Sequence, residues 1–193
     1  MTLSESWLRD VARKRAESHA GAKSQTLMGE DTDYIGVLGE ASFAEYMGVP
    51  EDVIMELVDG DTPEGDRGID YTMMFDFSAY PPHGEADKIL TIDVKTARKY
   101  PKWILEKRGK VQADIYVVMQ YFPDTKRDPK DTFFEARATP VKWTTGQILE
   151  RGEIVDFGWG ENHSAPVRDA FRMEILRSSY MGLAPTKEGD HGA

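Results

Sequence analysis

The run ADIYVVMQYF, Ala113 to Phe122, constrains the fold most. It is nearly continuous in apolar residues, the pattern of a strand covered on both faces, and so reads as a central strand. Two strand-like runs precede it, IDYTMMFDFSAY (Ile69 to Tyr80) and KILTIDVKTA (Lys88 to Ala97). The break Pro81-Pro82-His83-Gly84 between them predicts an antiparallel hairpin. TFFEARATPVKW, Thr132 to Trp143, predicts a further strand, after which Thr144 or Thr145 caps a short helix to about Arg151. Upstream, a helix is predicted from Ser4 to about Ala20, with Trp7, Leu8 and Val11 as its apolar side and Arg9, Arg13, Lys14 and Arg15 elsewhere. A second helix starts at the N-cap candidates Asp31-Thr32-Asp33 and stops at Gly48, with Pro50 beyond. Met55 to Val58 reads as a short strand, and Ala170 to Leu176 as a last strand or helical turn. Lys99 to Lys110 is a polar, basic segment with Trp103, Ile104 and Leu105 in its middle. A central mixed sheet with helices packed on it closes this order, an α/β fold. The length fits a single domain over residues 1–183, with the polar end 184–193 (APTKEGDHGA) expected to be disordered.

Composition narrows the chemistry. The 193 residues include no cysteine, which removes disulfides, zinc–thiolate sites and thiol nucleophiles and agrees with a cytoplasmic location. No run of eighteen apolar residues offers a membrane span, and MTLSESWLRDVARKR has no apolar signal core. His19, His83, His163 and His191 are scattered and read as surface or loop histidines. The net charge of −10 opposes non-specific binding to nucleic acid. Its distribution is uneven. Lys88 to Lys110 holds eight cations against Asp93 and Glu106, a local +6 that leaves −16 on the rest of the chain. Such a patch suits an anionic substrate; a solvated charged loop is the plainer alternative.

Charges inside the predicted core carry the functional argument. Side chains alternate along a strand, so Leu90, Ile92 and Val94 share one face and Asp93 and Lys95 the other. A buried charge needs a partner, and these two can satisfy each other as a local ion pair. On the partner strand Ile69, Tyr71, Met73 and Phe75 share a face, which leaves Asp70 free to approach Asp93 across the hairpin. Two carboxylates that close repel unless a proton or a cation intervenes. A magnesium or manganese ion resolves the conflict, with carboxylates and a backbone carbonyl, that of Val94, as ligands. Glu40 is odd in the same way, because its helical neighbours Gly36, Val37, Phe43, Ala44 and Met47 are all small or apolar. Gly36 and Gly39 beside it let the helix approach a sheet closely. Glu40, Asp70, Asp93 and Lys95 together suit metal-assisted phosphodiester hydrolysis, with Lys95 orienting or helping to deprotonate a water. Arg98, Lys99, Lys102, Lys107, Arg108 and Lys110 would hold a DNA backbone, with Trp103 the best stacking candidate and Trp143 assigned to the core.

The ordered set LGEASFAEYMG, GDRGID, TIDVKTA and ADIYVV resembles the PD-(D/E)XK nuclease superfamily over roughly Asp33 to Leu149. VKWTTGQIL resembles the strand-to-helix step that ends many of these domains. The resemblance implies a restriction-endonuclease-like αβββαβ core and magnesium-dependent DNA cleavage in a phage-type or Holliday-junction-resolvase-like member. It places Asp70, Asp93 and Lys95 in the D-x(n)-(D/E)-x-K motif and Glu40 as the upstream glutamate, and it implies a homodimer as one expected assembly. Endonuclease action is favoured over exonuclease. Gln112 and Tyr116 have the Q-x-x-x-Y spacing of exonuclease-like members, but here that spacing falls at a strand entry rather than on a helix. Asp66 is a second-rank metal candidate already accounted for by turn chemistry. A nuclease-like fold that binds nucleic acid or protein without cutting is the alternative, and a small acidic interaction protein with plain ion pairs is a third.

Overall fold

The computed structural model describes residues 3–19, 30–59, 69–79, 88–122, 137–158 and 160–184. Three helices come first, α1 (Glu5–His19), α2 (Glu30–Met47) and α3 (Glu51–Asp59). Strands β1 (Tyr71–Phe75), β2 (Lys88–Ala97), β3 (Trp103–Lys107), β4 (Ile115–Phe122) and β5 (Arg137–Thr145) follow. The chain continues through α4 (Gly146–Glu150), β6 (Glu153–Asp156), β7 (Glu161–Pro166), a 3-10 turn, α5 (Met173–Ser179) and β8 (Tyr180–Leu183).

Two sheets form, one in the order β5-β4-β2-β1-β8 and one in the order β3-β7-β6. The larger is mixed: β2 pairs antiparallel with β1 and parallel with β4, and β4 pairs antiparallel with β5. The hairpin expected between the first two strand runs is therefore present, with Tyr71 opposite Ile92 and Phe75 opposite Lys88. Helices flank this sheet. On one face a core joins Leu8 and Val11 of α1, Val37, Phe43 and Met47 of α2 and Ile54 of α3 to Tyr71, Met73, Ile92, Val94, Val117 and Met119. On the other, Tyr116 and Val118 of β4 pack with Ile104, Leu149, Ala165 and Val167 in a second core beneath the smaller sheet. Strand β4, interior to the sheet between β5 and β2, is thus buried from both sides, as its composition requires.

Helix α2 lies hard against β2. A Cβ on Gly39 would stand 1.7 Å from Thr96 Oγ1 and 2.9 Å from its Cβ, so only glycine fits there. Gly36 meets nothing closer than a Glu40 oxygen at 3.9 Å, so the tight approach is made at Gly39 alone of the two.

Several expectations need correction. Met55 to Val58 lies within helix α3, because Ile54 and Val58, four residues apart, are both buried on one helical face. Trp103 to Lys107, for which no element was expected, is a strand of the second sheet. The parallel pair β2–β4 is consequently joined through β3, and no helix stands between β3 and β4 as an αβββαβ order requires. Of the two alternatives for Ala170 to Leu176, the helical one is present, as α5 over Met173–Ser179. Of the polar end 184–193, Ala184 donates its backbone N–H to the Thr72 carbonyl at 3.0 Å, and 185–193 lie outside the described residues. So do the hairpin loop 80–87, Asp66, His83, His191 and residues 132–136 of the expected strand. His163 is a strand residue of β7 with a buried Nδ1, not a loop histidine. Among the described residues no helix is long and apolar enough to cross a membrane.

Candidate functional site

The alternation of β2 sets the site. Ile92 and Val94 enter the helical core, while Asp93 and Lys95 lie opposite Tyr116 and Val118, which belong to the core beneath the second sheet. Asp93 is only 3 % exposed. Lys95 Nζ stands 2.7 Å from Asp93 Oδ2 and 2.8 Å from Oε2 of Glu106, which reaches down from β3. The lysine thus bridges the buried Asp93 carboxylate and the partly buried Glu106 carboxylate. Burial alone would push its ammonium down, but the charges of Asp93 and Glu106 and their hydrogen bonds outweigh it and hold Lys95 above lysine's ordinary range. In this state Lys95 is a fixed cation. Its Nζ also lies 6.0 Å from the ring centroid of Tyr116.

Asp70 stands one residue before β1. Its N–H donates to the Ile92 carbonyl at 2.8 Å, and its Oδ2 accepts the N–H of Val94 at 2.5 Å. The β1–β2 ladder ends at Tyr71 opposite Ile92, so Asp70 lies just beyond it, its carboxylate on the N–H of the residue after Asp93. For Val94, expected to lend its backbone carbonyl, the structure shows the N–H donated to Asp70 and the side chain buried.

Glu40 faces inward, 8 % exposed, as its stripe on α2 requires. Its carboxylate is gripped by Arg15 of α1, Nη1 to Oε1 and Nη2 to Oε2, both at 2.8 Å. Arg15 Nη2 also donates to the Val58 carbonyl at 3.1 Å, which ties α1, α2 and α3 together. The buried Tyr71 hydroxyl donates to the Glu40 backbone carbonyl at 2.8 Å. Burial, then the negative charges of Glu40 and Asp70, hold this phenol well above its usual range, against the pull of Arg15. Tyr71 therefore lies within electrostatic reach of both acids.

The structure thus brings Asp93, Lys95 and Glu106 together, sets Asp70 just before β1 with its carboxylate on the Val94 N–H, and keeps Glu40 with Arg15 on the helical side. Among the described residues no three Asp, Glu or His side chains converge closely enough to hold a metal ion. The donor chemistry still fits a hard divalent cation, because magnesium commonly takes one or two carboxylates and completes its shell with water and phosphate. Asp70, held on the Val94 N–H, and Asp93, held by Lys95, are the two candidates, while the Glu40 carboxylate is committed to Arg15.

The seven predicted DNA contacts, Arg98, Lys99, Lys102, Trp103, Lys107, Arg108 and Lys110, are all exposed. Arg108 is engaged, its Nη1 2.6 Å from Glu161 Oε2 on β7. Trp143 is buried, with its Nε1–H donating to the Arg172 carbonyl at 2.9 Å. Tyr116 is a buried strand residue whose hydroxyl accepts the N–H groups of Gln112 and Ala113 at 3.0 and 3.3 Å, so the Q-x-x-x-Y spacing serves the strand entry.

Sequence reasoning missed two residues. Arg15 lies three and four residues beyond Ala12 and Val11, on the buried stripe of α1, the signal that identified Glu40 on α2. Glu106 alternates with Ile104 on the inward face of β3, but five residues among surrounding cations gave no strand signal. No family model, no curated protein and no solved structure matches the chain.

Proposed function

We propose that this protein is a metal-dependent nuclease that hydrolyses phosphodiester bonds in DNA, with a restriction-endonuclease-like site and endonucleolytic action favoured. One observation carries the reading: the Asp70 carboxylate accepts the N–H of Val94, the residue after Asp93, with Lys95 beside Asp93 and the basic segment following directly. Asp70 and Asp93, with the Val94 carbonyl, would hold a magnesium or manganese ion. When bound, such an ion polarises a phosphoryl oxygen and makes water more acidic. Lys95, kept protonated by Asp93 and Glu106, offsets negative charge gathering on the phosphate rather than accepting a proton. Glu106 keeps a counter-charge on Lys95 when Asp93 turns to a cation. Arg98, Lys99, Lys102, Lys107 and Lys110 grip the phosphate backbone.

A second reading, binding without cleavage, is favoured by the commitments already made: Glu40 to Arg15, Asp93 to Lys95, Asp70 to the Val94 N–H. One experiment separates them. The protein is incubated with supercoiled, linear, single-stranded and branched DNA in magnesium, in manganese and in EDTA, beside Asp70→Asn. Asparagine still accepts the Val94 N–H, so the variant keeps the fold and loses a charged ligand. Metal-dependent cutting that Asp70→Asn abolishes supports the nuclease. Binding with no cutting in either metal supports the second reading.

A further inference from the structure

We propose that the segment leaving β2 is a stacking platform that selects unpaired nucleotides, so that the nucleic acid taken by this site is single-stranded where it meets the protein. The inference builds on the nucleic-acid reading above. Strand β2 ends at Ala97, two residues past Lys95, and the chain turns out through Arg98, Lys99 and Tyr100 into β3. Tyr100 is 64 % exposed and Trp103 is 36 % exposed, although aromatic rings of this size normally shed water. The stretch between them is held: Pro101 is buried, and the Lys102 carbonyl accepts the Val167 N–H at 3.0 Å. Arg98, Lys99 and Lys102, neighbours of the two rings in sequence, are exposed.

Cations alone would serve a duplex as well as a single strand. The rings would not. In a duplex the base faces are stacked on one another, and a flat side chain gains only when it meets an open base face. The charge balance points the same way. A single strand has the lower charge density, shown by its weaker salt dependence, so a chain of net −10 repels it less than it repels a duplex. Stacking beside a small basic patch then supplies what long-range attraction does not.

The test is a binding titration in EDTA, where no cleavage occurs. A fluorescein-labelled oligo(dT) of about 20 nucleotides, longer than one single-strand site, is compared with a mixed-sequence duplex of equal length by anisotropy. The platform predicts tighter binding of oligo(dT). It also predicts that Tyr100→Ala and Trp103→Ala each weaken oligo(dT) binding roughly 5- to 100-fold and the duplex by much less. Trp103→Phe retains most of the affinity. Tyr100 is the more exposed, so its variant reports even if Trp103→Ala disturbs β3. Equal or tighter duplex binding, or a Tyr100→Ala loss shared equally by both probes or absent from both, overturns the platform. A protein that prefers oligo(dT) but cuts nothing keeps the platform and loses the nuclease. One that cuts duplex DNA without that preference does the reverse.

Discussion

Arg15 holds both carboxylate oxygens of Glu40, each at 2.8 Å, across the interface between α1 and α2. Both side chains are nearly out of solvent, 14 % and 11 % exposed. Breaking such a pair strands a charge, whereas replacing both partners with apolar groups removes the desolvation penalty as well. Arg15→Ala should therefore lower unfolding free energy by about 3–5 kcal/mol, and Arg15→Met with Glu40→Leu should recover most of it. Urea denaturation of the two variants beside the parent measures both.

The clasp of Lys95 by Asp93 and Glu106 predicts an alkaline signature. A folded-state pKa raised above the unfolded value contributes stability that is fully present below the unfolded value, about 10.4 for lysine. That contribution drains away as pH climbs through the folded value. The parent should lose stability from about pH 10 upward more steeply than Lys95→Met, in which this linkage is absent. Denaturant midpoints from pH 8 to pH 11 give the two slopes; parallel slopes would refute it.

Gly39 and Thr96 set how closely α2 approaches β2. Because the Thr96 Cβ itself lies within 2.9 Å of the added atom, no rotation of Thr96 makes room. Gly39→Ala should cost about 1–3 kcal/mol or more, as over-packing does. Thr96→Ala should restore only part of that, since its Cβ remains, while Thr96→Gly should restore more. A double-mutant cycle by thermal denaturation reads the coupling.

Glu106 offers a smaller test. Glu106→Gln keeps the shape and removes one of the two charges on Lys95, which should lower the lysine's pKa and tighten its hold on Asp93. If Asp93 is a metal ligand, the magnesium concentration needed for half-maximal cutting should rise. Unchanged metal dependence would leave Glu106 a packing residue.

Much of this arrangement was legible where a period runs long enough. Ten residues of β2 gave the strand, its ends and the sidedness of Asp93 and Lys95. The eighteen-residue α2 showed Glu40 on its inward stripe. Short windows failed. MELV looks like a strand until Ile54 and Val58 are seen together on α3, and WILEK was too brief and too basic to declare itself as β3. The second sheet was hidden for a further reason: β3 finds its partner β7 more than fifty residues on, and no local pattern encodes that distance. Arg15 is legible by the same stripe rule as Glu40, but it follows Arg9, Arg13 and Lys14, a run that has the look of a solvated face.

Strand β8 closes the outer side of β1, with Leu183 opposite Met73, Gly182 opposite Met74 and Tyr180 opposite Phe75. Without those few residues the β1 backbone would present open amides and carbonyls along a hydrophobic ribbon, a template for joining chain to chain. Trimming the protein before Tyr180 for crystallisation or fusion would thus leave that edge open to join a second copy.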